Sequence, residues 1–404
     1  MAKRLLLQGD HESIAEESSA MTNMDTLSCI LEFVLEKQFL FFAPVSRAWR
    51  AAWGHRPAVT SFTTPDTSVS QLRYSFEGDL PIDRLSMCED LAVLGKLGPL
   101  QCAREHGCHW GKRTCAMAAE GGHLSVLQWV RQNGCAWDFD TCHAAARGGH
   151  LTVLQWSRQN GCPWNSATCL LAAEGGHLAV LQWARHEGCP WDEGTCSSAA
   201  SEGHLTILKW ARQNGCAWDA STCAIAGAGG HLALLQWMRQ EGCPWDVETC
   251  AAAAEEGHLG VLKWARENGC PWSEITCAWA AGGGHLVVLQ WARSNGCAWD
   301  GETCSSAALG GQLDVLQWAR RNGCPWNEDT CSRAAGAGGL AMLQWARENG
   351  CPWDEETCRW ACRAGRLDVT IWARRNGCPW DKKSCVEIAM SRGHEHIIAW
   401  IKEN

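Results

Sequence analysis

Apolar and polar positions follow a helical rhythm along this chain, and the rhythm restarts every 27 residues. The stretch from Asp246 to Trp272, DVETCAAAAEEGHLGVLKWARENGCPW, is one full period. Its first half runs from Val247 through Cys250 and an alanine run to about Glu256, which predicts a short first helix. Gly257 breaks it. Leu259, Val261, Leu262 and Trp264 then suit one buried face of a second helix, although Ala265 and Arg266 interrupt the apolar pattern. No stretch shows the alternation of a strand.

The ends of both helices are written into the pattern. Asp, Asn or Ser follows the loop tryptophan in nearly every period, as in Asp138, Asn165, Asp192, Ser273 and Asp354, with Gly111 departing. These are N-cap residues, whose side-chain oxygen satisfies an orphan helix N–H. Gly269 predicts a left-handed stop, and Pro271 follows where the helix cannot resume. The Gly-Cys pair recurs in strict register from Gly107-Cys108 to Gly377-Cys378. A fixed period of this size marks a repeat architecture, in which each unit buries its apolar face only against its neighbours. The expected fold class is all-α: an αα solenoid of about twelve helix pairs, with a worn N-terminal cap around Leu72–Asp83 and a C-terminal cap ending in Ile397, Ile398 and Trp400.

The tract T-C-x-x-A-A-x-x-G-H-L-x-V-L-x-W-x-R-x-N-G-C resembles the ankyrin repeat. Thr141, Ala145, Ala146, Gly149, His150, Val153 and Gly161 fall on family positions, and Trp156 falls on a core leucine. The usual ankyrin unit has about 33 residues. The missing residues lie between Asp138 and Thr141, where the family carries its β-hairpin finger. The resemblance therefore implies helix pairs with the fingers removed. Arg158 stands where the family has a leucine, and the second helix departs there from the family pattern.

The lead differs from the repeats. Residues 1–23 are polar and without periodicity and read as disordered. In residues 24–53, Leu27, Ile30, Leu31 and Val34 form a helical stripe, and Val45, Ala48, Trp49 and Ala52 suggest another helix after Pro44. With Val45, Arg47, Trp49 and Arg50 forming V-x-R-x-W-R, this segment resembles an F-box. The resemblance implies docking of a Skp-type adaptor through Leu27, Ile30, Leu31, Val45 and Trp49. Met24-Asp25 replaces the family's opening Leu-Pro, and a helical cap on the solenoid would be apolar here too. Residues 54–70 read as a linker, and residues 71–404 as the solenoid.

Composition narrows the chemistry. The formal charge is −9, which argues against a general nucleic-acid surface. The opening apolar run is too short for a signal peptide, and no apolar stretch is long enough to span a membrane. The expectation is an intracellular protein, in cytoplasm or nucleus (of a host cell if the source is viral). There are 26 cysteines, nearly all in two columns, Cys88 to Cys385 and Cys108 to Cys378. They read as small buried core side chains with reduced thiols. A metal reading draws on Cys135, Cys142 and His150, but zinc favours cysteine pairs on a turn, and the histidine is lost at Gln312, Gly339 and Arg366 while the cysteines persist. No metal or cofactor is expected.

Two tryptophan columns stand out. Trp129 to Trp372, beside Val and Leu, read as core. Trp110 to Trp380 read as packing over the glycine stop. The arginine column, Arg104 to Arg374, reads as bonding loop carbonyls or a neighbour's capping Asp. No nucleophile constellation, phosphate loop or catalytic carboxylate pair stands outside these columns, so no enzyme is expected. Function is left to the positions that vary, on one face of the first helix by i, i+3 spacing. Met117, Leu171, Ile225, Trp279, Arg333, Trp360 and Arg363 are the candidate partner-binding residues. In ankyrin arrays that helix lines the concave surface. Their expected partners are proteins, not nucleic acid or membrane. The resulting reading is a protein-interaction solenoid, which the F-box resemblance would make a substrate receptor of a Skp-cullin-F-box ubiquitin ligase. A metal- or redox-responsive thiol protein and a passive scaffold are the alternatives.

Overall fold

In the computed structural model, which describes residues 67–77, 84 and 86–404, every repeat is a pair of short helices joined by a glycine turn. Twelve such pairs follow one another from Met87–Val93 with Leu97–Glu105 to Lys382–Ser391 with Glu395–Glu403, and a helix at Val69–Glu77 precedes them and packs on Leu97–Glu105. No strand occurs among the described residues. The chain is a helical-repeat solenoid in two bodies, one ending at Pro190 and the other spanning Trp191–Asn404. Segment 24–53, with Leu27, Ile30, Leu31, Val45 and Trp49, lies outside the described residues.

Local chemistry explains each element. Asp246 has an extended backbone, and its carboxylate accepts from the Glu248 N–H at 3.0 Å, opening the helix Val247–Glu255. That helix ends at Gly257, whose φ is +77°. There the N–H of His258 donates to the Ala253 carbonyl at 2.8 Å. The second helix, Leu259–Glu267, stops the same way: the Cys270 N–H reaches the Ala265 carbonyl at 2.9 Å across Gly269. Both ends are closed by bonds that need a left-handed residue, which is why glycine punctuates every repeat before the last twice. Ser273 and Asn327 make no such side-chain cap.

The core is assembled from few residue types. Thr249, Cys250, Ala253 and Ala254 are buried on the first helix, and Val261, Leu262 and Ala265 on the second. Small side chains let first helices lie close together: a Cβ on Gly282 would stand 3.6 Å from the Ser306 Cβ of the next repeat. The buried aliphatic pair of the second helix, Val261 and Leu262 here, contributes about 1.5–3 kcal/mol per side chain. The buried face lies at Val261, Leu262 and Ala265, so Trp264 stands on its flank. The helix tryptophans are accordingly half-buried, correcting their expected place in the core.

The buried threonine hydroxyls divide into two kinds. Thr222 Oγ1 accepts from the Asp219 N–H at 3.3 Å and completes a capping box. Thr249 Oγ1 is buried without a partner. Thr249→Val is therefore expected to stabilise the chain by about 1 kcal/mol and Thr222→Val to destabilise it by about as much. Urea unfolding of the two variants checks the opposite signs.

All cysteines from Cys88 onward are free and buried. Helix thiols pair with the loop thiol that closes their own repeat, as in Cys142 with Cys162 and Cys331 with Cys351, whereas Cys385 pairs with Cys362 on the first helix of the preceding repeat. The loop thiol in turn donates to the carbonyl of that repeat's N-cap residue, Cys162 Sγ to Asp138 O at 3.2 Å. In the Cys331–Cys351 pair, the hydrogen bond between the thiols and then burial push the Cys331 thiol up. Burial pushes Cys88 from its ordinary 9.0 up to about 12. A thiol held neutral by the fold contributes stability that is complete below the unfolded value. That stability is lost as pH rises from there through the folded value. Thermal melts should therefore hold steady between about pH 7 and 8.5 and shift down above about pH 9.

Candidate functional site

Three columns that recur in every regular repeat are consumed by the scaffold. Arg104 donates to the Cys108 carbonyl at 2.6 Å, and its guanidinium lies 4.1 Å from the centre of the Trp110 ring. Arg131, Arg158, Arg212 and Arg239 make the same bond to their own loop. The arginines thus bond loop carbonyls of their own repeat, as one of the two expected arrangements had it. The loop tryptophan then meets the next repeat's helix tryptophan edge-on, Trp110 to Trp129 at 5.5 Å and Trp245 to Trp264 at 5.8 Å. An Arg–Trp–Trp ladder results, in which the planar guanidinium both stacks and bonds. In the N-terminal body, Gln155, Arg158, Gln159, Trp164, Trp183 and Glu187 line a shallow recess of about 330 Å³ beside it.

The histidines tie repeat to repeat. His150 Nε2–H donates to the Glu120 carbonyl at 2.9 Å, and His231 Nε2–H to the Ser201 carbonyl at 2.8 Å. Each closes the end of the preceding repeat's first helix, whose last carbonyls have no partner within the helix. Cys135 and Cys142 belong to different thiol pairs, and His150 points to a carbonyl, so that Cys-Cys-His triple is not gathered at one point. Where Gly339 replaces the histidine, the first helix Glu328–Arg333 widens into a π-helical turn at Ala334–Gly338. Arg366 takes over the tie one repeat later, donating from Nε to the Gly336 carbonyl at 3.1 Å.

What remains is the varying face of the first helices. Met117 and Leu171 in the N-terminal body, and Ile225, Trp279, Arg333 and Trp360 in the C-terminal body, are half-buried, while Arg363 is exposed. Three of them are drawn into local contacts. Trp360 packs over Gly336 of the preceding repeat, where an added Cβ would come within 3.0 Å of its ring. Arg363 lies 5.5 Å from the centre of the Trp360 ring. Arg333 forms an ion pair with Glu302 at 2.6 Å. Glu302 belongs to a row that the sequence reading passed over, two residues before the helix cysteine: Glu248, Ile275, Glu302, Asp329 and Glu356. The signal was present, because this row lies four residues before the Ala252–Trp279–Trp360 row and shares its face.

No family model matches the chain, and no curated protein matches it. Among solved structures it is similar to the human ASB11 ankyrin repeat domain, at 16% identity and a TM-score of 0.34, over 39% of this chain and 84% of that one. It is also similar to the pentatricopeptide repeat protein PPR10 in complex with an 18-nt psaJ RNA element, at 15% identity and a TM-score of 0.35, over 98% of this chain and 66% of that one. The maize PPR10 structure gives 13% identity and a TM-score of 0.33, over 99% of this chain and 71% of that one.

Proposed function

We propose that this chain is a non-enzymatic, intracellular protein-binding solenoid of ankyrin-like repeats that holds its target on the varying face of its first helices. One contrast carries the reading. Side chains that recur along the array are spent within the scaffold, in thiol pairs, the Arg–Trp–Trp ladder and the histidine ties. Side chains that differ between repeats are left partly open on a single face, with aromatic and arginine residues of the kind that anchor interfaces. The F-box-like lead, residues 24–53, would join this face to a Skp-type adaptor and make the chain a substrate receptor for ubiquitin ligation. The formal charge of −9 favours a protein over a nucleic acid as the target.

The test places a photo-crosslinking residue in the full chain at Met117, Ile225 or Trp360, and separately at Gln155 or Gln236 on second helices. Protein adducts are expected from the first set and not the second. Adducts of equal yield from both sets, or RNA adducts from the first, would overturn the reading. Leu31→Ala with Trp49→Ala should remove Skp-type adaptor and cullin from the captured proteins while leaving the other partners. If no adaptor is captured with either chain, the lead is a structural cap and the protein is a binding scaffold alone.

A further inference from the structure

The C-terminal body carries a charge pattern on the same face that points to one kind of partner. Its first helices from Glu193–Ser201 to Gly301–Leu309 contain five glutamates and no Lys, Arg or His. Of these, Glu193, Glu248, Glu255 and Glu274 enter no ion pair among the described residues, whereas Glu302 is held by Arg333. Cations appear on the first helices beyond Leu309, and four are engaged: Arg333 with Glu302, Arg359 with Glu356, Arg363 over Trp360, and Lys383 with Glu387.

Between these carboxylates lies an apolar band. Ile275 is 41% exposed and Leu309 46% exposed, and both are large side chains with no place in the core. Trp279 stands between their rows, half-buried, one turn along the helix from Ile275. Gly282 and Ser306, small and in contact range of each other, leave the band low beside the tryptophan. Glu248 and Glu302 flank it at the N-terminal ends of their helices, and Glu255 at the C-terminal end of its own. An apolar stripe edged by the unpaired carboxylates of Glu248 and Glu255 is complementary to an amphipathic helix whose apolar stripe is edged by basic residues. Three neighbouring first helices span roughly 20 Å at 8–10 Å separation. That length matches about thirteen residues of helix at 1.5 Å per residue.

We infer that the face around Trp279, Ile275 and Leu309 binds a cationic amphipathic helix, with Glu248 and Glu255 as its unpaired counter-charges. The inference rests on the first-helix face being the protein-binding surface and adds the chemistry of the partner. The probe is a labelled eighteen-residue Leu/Lys peptide of helical periodicity, measured by anisotropy against the full chain. A Leu/Glu peptide of the same pattern and a single-stranded RNA are compared with it. Glu248→Lys with Glu255→Lys should weaken Leu/Lys binding by about tenfold, and raising salt should weaken it further. Glu267→Lys with Glu348→Lys, the same charge change on exposed second-helix positions, should leave it within about twofold. Both pairs are surface changes, and circular dichroism verifies their fold. Equal weakening by the two pairs, or Leu/Lys binding no tighter than Leu/Glu, overturns the inference. Leu/Glu binding lost in Trp279→Ala would keep the face as a protein site while overturning its cationic preference. RNA binding that Leu/Lys displaces from this face would overturn both.

Discussion

Gly149→Val is expected to lower stability by about 3–5 kcal/mol, more than any substitution on the varying face. Gly149 has φ +75°, where a branched side chain is strained whatever space it finds. It also lacks the space: a Cβ there would stand 2.5 Å from the Cε1 and Nδ1 atoms of His177. That ring cannot simply swing away, because its Nε2–H donates to the Arg147 carbonyl at 2.9 Å and so closes the end of the first helix in the repeat before. The substitution therefore adds backbone strain, displaces a ring and frees a carbonyl at a helix end. Gly161→Ala separates these effects. Its φ is +83°, but nothing lies within 4 Å of the added Cβ. It should cost only about 1–2 kcal/mol. Urea unfolding of the pair measures the difference, and equal losses would show that the contact with His177 has no energetic weight.

Leu289→Ala is the second large effect, at about 2–5 kcal/mol. Leu289 is fully buried on the helix Leu286–Ser294, among side chains too constrained to collapse into the space left behind. In a repeat array stability is a sum of unit terms and nearest-neighbour interfaces. A hole in a central repeat therefore weakens the interfaces on both sides as well. Hydrogen exchange should accelerate most in the repeats adjacent to residues 274–294 and least at Lys382–Glu403, and unfolding should broaden or divide into two steps. Uniform acceleration along the C-terminal body would mean that its repeats unfold as one unit.

The candidate face was readable in part. The rows of Trp279 and Leu309 stand out because they vary where all else repeats, and variation needs no structure to detect. Three of the candidate residues, Arg333, Trp360 and Arg363, spend side-chain contacts locally, on Glu302, on Gly336 and on the Trp360 ring in turn. Ile275 and Glu248 lay unnoticed in the neighbouring row, since spacing alone does not say how wide the exposed strip of a helix is. That width depends on how closely the adjacent first helices press together, and hence on residues such as Ser306 and Gly282 in other repeats.

The amino-acid sequence by itself determined the period, the two helices of each repeat and both their stops, because N-caps, left-handed glycines and apolar spacing act within a few residues of chain. It also marked Cys250, Val261 and Leu262 as inward-facing. Tertiary structure alone decided who meets whom. The helix tryptophan lies on the flank beside a loop tryptophan, the arginine stacks on the loop of its own repeat, and the histidine closes the helix of the repeat before. Along the central repeats the two cysteine columns pair with each other. Except for the arginine, which reaches its own loop just downstream, these contacts join residues separated by most of a repeat or more. They are set by the angle and distance at which neighbouring helices pack, which a local pattern does not encode.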